Sequence, residues 1–110
     1  MLFYDFEAGN QVYKLRLNTR NIVMLEKMLG NNPLSIFGTK GDTIPTITEM
    51  VNILYCSLQQ YQHNITLDKA YDIFDEWVSE DHAAVDFIQV ILEIYKVSGI
   101  IKAGATTEKN

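Results

Sequence analysis

Four polar residues at the junction between the fourth and fifth predicted helices have side chains of the types that hold metal ions. They are Glu80, Asp81, His82 and Asp86, and both carboxylates and imidazoles are common metal ligands. Their spacing matches no established ligand pattern, and acidic residues at a helix start are explained more simply by the partial positive charge of its free N–H groups. The other histidine, His63, lies in a polar turn, where a solvated side chain is expected. We therefore predict no metal site and no histidine base.

A second group of acidic residues has the i, i+4 spacing that places carboxylates on one helix face. A catalytic carboxyl group works in an enclosed site, whereas these residues lie opposite the apolar face of their helix and should be in water. We interpret them either as ordinary surface charge or as contacts for a basic partner: Asp68, Asp72, Asp75 and Glu76.

The remaining reactive residue types have no catalytic setting in the sequence. Cys56 is the only cysteine, and its apolar helical surroundings are typical of a buried thiol. Residues 38–42 have the composition of a phosphate-binding loop but not its spacing. No serine, threonine or cysteine stands in a nucleophile motif. The sequence predicts a protein that is not an enzyme and needs no cofactor.

Composition and charge restrict the class of partner. The chain has 110 residues, 47% of them hydrophobic, and a formal net charge of -5, which fits one globular domain. Its apolar runs are shorter than a membrane span requires, and the negative charge disfavours binding to a phosphate backbone. The first 40 residues are mildly basic and residues 66–93 strongly acidic, an asymmetry that allows head-to-tail self-association. An alternative stays open: a small helical nucleic-acid-binding regulator in which Lys14, Arg16 and Arg20 contact phosphate.

Turn and cap residues predict the order of the elements. Alternating apolar residues around a Gly-Asn turn predict a β-hairpin at residues 1–17. Helix starts are expected at Asn18 or Thr19 and at Thr66, and Thr46 with Glu49 forms a capping box. Asn32 precedes a short helical turn, and glycines end helices at positions 30 and 99. The expected fold is mainly α: a small bundle of four to five helices preceded by the hairpin, forming one domain over residues 1–101. A flexible C-terminal tail is expected at 102–110.

The fifth predicted helix begins at Ser79 or Asp81, ends at Gly99, and has unusually few polar positions. Its polar residues form one narrow stripe at i, i+3, i+7 and i+10, and apolar residues cover the rest. A domain of this size buries only about two-thirds of the surface that its unfolded chain exposes, so we expect the surplus apolar surface to bind a partner. The apolar contacts expected for a client or for self-association are Tyr55, Tyr61, Phe87, Ile91 and Tyr95.

Several segments, in order and with their spacing, resemble the small tail assembly chaperones of long-tailed phages and prophages of Gram-positive bacteria. The resemblance covers about residues 13–101 and departs from the family pattern at residues 77–84, which lack an expected glycine. The segments are YKLRLNTR (13–20), LEK (25–27), NPLSIF (32–37), PTI (45–47) leading to LQQY (58–61), and VILE (90–93) with VSG (97–99).

The resemblance implies a mainly helical, non-enzymatic protein of the bacterial host cytoplasm that is absent from the mature virion. Such chaperones bind the tape measure protein, keep it soluble, and help recruit tail tube subunits during tail morphogenesis. A broad apolar surface suits this activity, because an amphipathic helix can lie in an apolar groove. The reducing cytoplasm also fits a chain with one cysteine.

Overall fold

The computed structural model describes residues 2–102 and begins with an antiparallel hairpin of β1 (Tyr4–Ala8) and β2 (Gln11–Leu15). Gly9 and Asn10 form the two-residue turn with φ of 58° and 67°, the left-handed conformations that a tight hairpin turn of this type requires. Alternation along the strands places one face of the hairpin against the helices. The buried residues of that face are Phe6, Ala8, Tyr13 and Leu15.

The first helix and the turn that follows it begin and end where their cap residues predict. Helix α1 (Thr19–Leu29) starts after Asn18, whose side chain accepts a hydrogen bond from the Asn21 N–H, and stops at the left-handed Gly30. A short 3₁₀ helix (Pro33–Phe37) follows, capped by the side chain of the preceding asparagine. Both caps satisfy N–H groups that the helix itself leaves free.

Helix α2 (Ile47–Ser57) is the central element of the fold. Thr46 and Glu49 form the expected capping box, with the Thr46 N–H donating to the Glu49 carboxylate at 2.8 Å. The helix packs against α1 and against two later helices, α3 (Leu67–Ser79) and α4 (Phe87–Val97). Because it is covered on several sides, almost every residue after its first turn is buried, including the polar Asn52.

Helix α3 presents one apolar face to the core, as its pattern predicts. Ala70, Phe74 and Trp77 are buried, and Thr66 caps the first turn by accepting from the Lys69 N–H. The periodicity of α3 also predicts that Tyr71 faces inward, and this prediction is wrong, since 44% of the residue is exposed.

The expected start of the last helix at Ser79 or Asp81 is also wrong. Asp81 adopts a left-handed conformation with φ 74°, and the Glu80 N–H donates to the Trp77 carbonyl at the end of α3. A 3₁₀ turn (Ala84–Asp86) precedes α4, so residues 81–83 lie outside any helix. Asp81 occupies the kind of position that glycine adopts most easily, which accounts for a sharp turn in a segment without glycine.

The chain covers α4 by itself, contrary to the expectation of a large apolar surplus. Strand β1 packs against α3 and α4, and α2 also packs against α4. The buried residues form one hydrophobic cluster to which the hairpin and all four α-helices contribute. The structure is therefore a mostly helical domain with an N-terminal hairpin. Of the predicted tail at 102–110, residues 103–110 lie outside the described part of the chain.

Candidate protein-binding site

Three of the five apolar residues expected to contact a partner are part of the hydrophobic core. Phe87, Ile91 and Tyr95 are fully buried. Phe87 contacts the rings of Phe6 and Trp77, with centroids at 5.8 and 5.5 Å. The prediction that these three side chains bind another protein is wrong for this fold, because the hairpin and the neighbouring helices already occupy the space around them.

The hydroxyl group of the buried Tyr95 is satisfied by a hydrogen bond within the fold. Its Oη donates to the Pro33 carbonyl at 2.8 Å, joining α4 to the 3₁₀ helix. Burial raises the pKa of the Tyr95 hydroxyl, and the nearby Glu49 and Cys56 raise it further. A tyrosine kept neutral and bonded in this way positions the 3₁₀ helix and is not available to a ligand.

Tyr55 and Tyr61 are both partly exposed. Tyr55 packs against the core, and the Tyr61 ring lies edge-on to the Phe3 ring at 5.3 Å. The Lys14 ammonium stands 5.1 Å from the centre of the Phe3 ring, a distance at which a cation is attracted to an aromatic face. These two tyrosines therefore remain only partly accessible for contact with another protein.

The acidic residues of α3 lie on its solvent face, where the pattern places them. Each of the four is exposed, and none forms an ion pair with any residue of the described range 2–102. Unpaired carboxylates on one helix face produce a local negative potential that attracts a basic surface. This acidic face consists of Asp68, Asp72, Asp75 and Glu76.

An apolar groove that the sequence pattern does not predict lies between α4 and the loop after the 3₁₀ helix. Its apolar walls are Phe37, Ile44, Ile88 and Leu92, and its volume is about 410 Å³. Ile44 is 65% exposed, and the loop is closed by a hydrogen bond from the Thr43 N–H to the Phe37 carbonyl at 2.9 Å. Residues 39–45 have the polar composition of a loop, and the one sequence signal for this groove is the large apolar residue Ile44 directly before Pro45.

The residues with catalytic or metal-binding potential are buried, stacked or hydrogen-bonded within the fold. Burial raises the pKa of the Cys56 thiol to about 12, so the nucleophilic thiolate is disfavoured. The His82 ring stacks on Trp77 at 4.2 Å. Glu80 accepts a hydrogen bond from the Gly9 N–H and Asp86 accepts one from the Ala83 N–H. Within residues 2–102, no three His, Cys, Asp or Glu side chains converge as a metal site would require.

One of the three basic residues considered for phosphate binding is partly engaged within the fold. The Arg16 Nε donates to the Val97 carbonyl at 3.4 Å, at the C-terminal end of α4, where positive charge is favoured. Lys14 and Arg20 are exposed. The arrangement provides no additional support for the nucleic-acid alternative.

The chain belongs to a family of unknown function, DUF6096, whose profile matches residues 5–109. No curated protein matches the sequence. No solved structure matches it either. Among the described residues, none of the helices has the length and apolar character needed to cross a bilayer.

Proposed function

We propose that this protein is a non-enzymatic phage tail assembly chaperone that binds the tape measure protein and keeps it soluble in the bacterial host cytoplasm. The apolar groove of Phe37, Ile44, Ile88 and Leu92 is the observation that carries the proposal. It remains open although the main apolar faces of the helices are buried. An amphipathic helix of the client would lie in this groove with its apolar residues against the four walls. The resemblance of residues 13–101 to these chaperones supports the same assignment.

The acidic face of α3 has a separate part in this proposal. Its four carboxylates would contact a basic surface of the tail tube protein, so that the chaperone brings tube subunits to the tape measure protein that it binds. Self-association along the client would use the contrast between the mildly basic N-terminal part and the acidic α3. Binding to nucleic acid or to a membrane has no part in the proposal, and the protein would be absent from the mature virion.

Coexpression with the tape measure protein tests the groove directly. The wild-type chain should hold this client in the soluble fraction, and Ile44→Asp should lose most of that effect, because a charge would then stand in the apolar groove. Ile44 is well exposed, so the substitution should leave the fold intact. Val23→Asp is the matched control, since Val23 is also an exposed aliphatic residue, 43% accessible, and lies outside the groove on α1.

Two results would contradict the proposal. One is a client that precipitates equally with and without the wild-type chain. The other is equal loss of solubilisation in Ile44→Asp and Val23→Asp, which would show that the groove has no specific part in binding.

A further inference from the structure

The outer edges of the two strands of the hairpin differ in how their backbone groups are paired. The Gly9-Asn10 turn makes Ala8 and Gln11 the hydrogen-bonded pair next to it. Bonded pairs alternate along an antiparallel ladder, so Asp5 and Glu7 belong to the pairs whose N–H and C=O groups point away from the partner strand. The register supports this assignment, because it places Asp5 opposite Lys14, and the Lys14 N–H and C=O groups bond to Gln62, outside the hairpin.

The outer edge of β2 is occupied by groups from the helical part of the chain. The Gln62 side-chain amide accepts from the Lys14 N–H at 2.8 Å and donates to the Lys14 carbonyl at 3.0 Å. The Arg16 N–H donates to the Ser57 carbonyl at 3.0 Å. Gln62 thus takes the place that a neighbouring strand would have, and this edge is closed around Lys14 and Arg16.

The outer edge of β1 is open in the described part of the chain. The backbone N–H groups of Asp5 and Glu7 have no hydrogen-bond partner among residues 2–102. A groove of about 490 Å³ runs along this edge, between residues 4–7 on one side and the connection from α3 to α4 on the other. Unpaired strand edges bind extended chains, because each added residue pair supplies backbone hydrogen bonds.

The charges around this groove specify the kind of chain that fits. Four carboxylates line it, and no lysine or arginine is among its lining residues; the acidic residues are Asp5, Glu7, Glu80 and Asp86. On the inner side the groove is bounded by the Trp77 ring, the His82 ring stacked on it, and Val90. An extended segment would therefore meet carboxylates on its outward face and rings and an aliphatic side chain on its inward face.

We propose that the open edge of β1 binds an extended segment of another protein by antiparallel strand addition, and that this segment alternates basic and apolar residues. Its two basic residues pair with Asp5 and Glu7, and the apolar residue between them lies opposite Phe6 and faces the groove. Cross-strand pairs of opposite charge are stabilising, whereas like charges placed opposite each other are destabilising. The proposal does not depend on the apolar groove of α4 or on the tape measure protein.

A second copy of this chain is a poorer occupant of the same edge. Pairing β1 with β1 of another copy would bring Asp5 and Glu7 against the same acidic residues. Pairing β1 with β2 of another copy would require the edge around Lys14 and Arg16, which Gln62 and Ser57 already occupy.

Binding of short peptides to the full chain tests the proposal, with the fluorescence of Trp77 and amide hydrogen exchange as readouts. The probe is acetyl-TKVKT-amide, and its acidic counterpart acetyl-TEVET-amide should not bind. Binding should slow exchange at the Asp5 and Glu7 amides. Methylation of both lysine backbone nitrogens of the probe should abolish binding, because those N–H groups face β1. Methylation of the valine nitrogen, which faces away, should leave binding nearly unchanged.

Variants of the protein provide a second test. Glu7→Pro removes one outward N–H that the hairpin does not use, and proline is tolerated on an edge strand; we expect affinity to fall about tenfold. Glu7→Gln is its matched control, since it removes the charge but keeps the N–H, and it should bind better than Glu7→Pro. Asp5→Lys should weaken binding about fivefold through charge reversal.

Several results would overturn the proposal. Equal binding of the lysine-methylated and valine-methylated peptides would show that charge alone attracts the probe. Equal binding of the acidic peptide, or unchanged exchange at Asp5 and Glu7, would exclude the stated pairing. A concentration-dependent dimer in sedimentation that Glu7→Pro abolishes would make a second copy the occupant instead.

Discussion

Replacing Phe87 by alanine distinguishes a core residue from an interface residue. Phe87 is fully buried, and its ring lies edge-on to three others, Phe6, Phe74 and Trp77, with centroids 5.2 to 5.8 Å away. Truncating a buried phenylalanine costs about 3–5 kcal/mol, a large part of the roughly 5–15 kcal/mol expected for a chain of this size. The melting temperature should fall by about 15–25 °C. Urea unfolding followed by far-UV circular dichroism measures the free energy of unfolding.

Tyr71→Ala is the control, because this aromatic residue is 44% exposed on α3. Its removal should change the free energy of unfolding by no more than about 0.5 kcal/mol. The reasoning would be refuted if Phe87→Ala unfolded at the same urea concentration as the wild type while losing self-association or client binding. Phe87 would then have to be a surface residue, and the packing of β1 on α4 would be wrong.

Three further perturbations test the hairpin and the buried thiol. Gln62→Glu should destabilise the fold by about 1–2 kcal/mol, because a carboxylate cannot donate to the Lys14 and Leu58 carbonyls; hydrogen exchange at the Lys14 amide should accelerate, and an unchanged rate would show that Gln62 does not protect that edge. Gly9→Ala should cost about 1–2 kcal/mol in urea unfolding, because φ is 58° and left-handed backbone is unfavourable for alanine; wild-type stability would contradict this assignment of the turn. Burial raises the pKa of the Cys56 thiol from 9.0 to about 12, so the thiol ionises at a lower pH in the unfolded chain than in the folded one, and the stability that the neutral thiol contributes is lost as the pH rises through this range. The free energy of unfolding should therefore fall more steeply with pH in the wild type than in Cys56→Ala, and parallel curves would refute the buried thiol.

The local sequence predicted the starts of most elements because helix caps act over three or four residues. Asn18, Asn32, Thr46 and Thr66 each precede their helices and accept hydrogen bonds from them. The same holds for the hairpin, where Gly-Asn between alternating strands suffices to predict the turn. These decisions need no information about distant residues.

The apolar pattern of residues 81–99 predicted a helix correctly, but it predicted the start of the helix and the exposure of its apolar residues wrongly. Periodicity shows which residues are apolar but not what covers them. Asp81 turns the backbone away from a helix, and Trp77 stacks with His82 across that turn. The strand β1 then covers Phe87 from a distance of about eighty positions in the sequence, which no local pattern reports.

The features of the candidate site also divide into those that the local sequence predicts and those that depend on contacts between distant segments. The exposure of the acidic face of α3 could be predicted, because it depends only on which side of one helix is apolar. The apolar groove could not, because Phe37, Ile44 and Ile88 come from three separate segments. The expected contacts Phe87, Ile91 and Tyr95 failed for the related reason that a wide apolar helix can be either central or shared between chains.

The sequence by itself determined the hairpin, the caps, the amphipathic side of α3 and the negative charge of the chain, since each depends on neighbouring residues or on simple composition. Only the tertiary structure decided that α4 is buried by the chain's own strand, that Gln62 closes one edge of the hairpin, and that the other edge stays open beside four carboxylates. Those outcomes depend on which surfaces meet, and burial and hydrogen bonding between distant segments are fixed only when the whole chain packs.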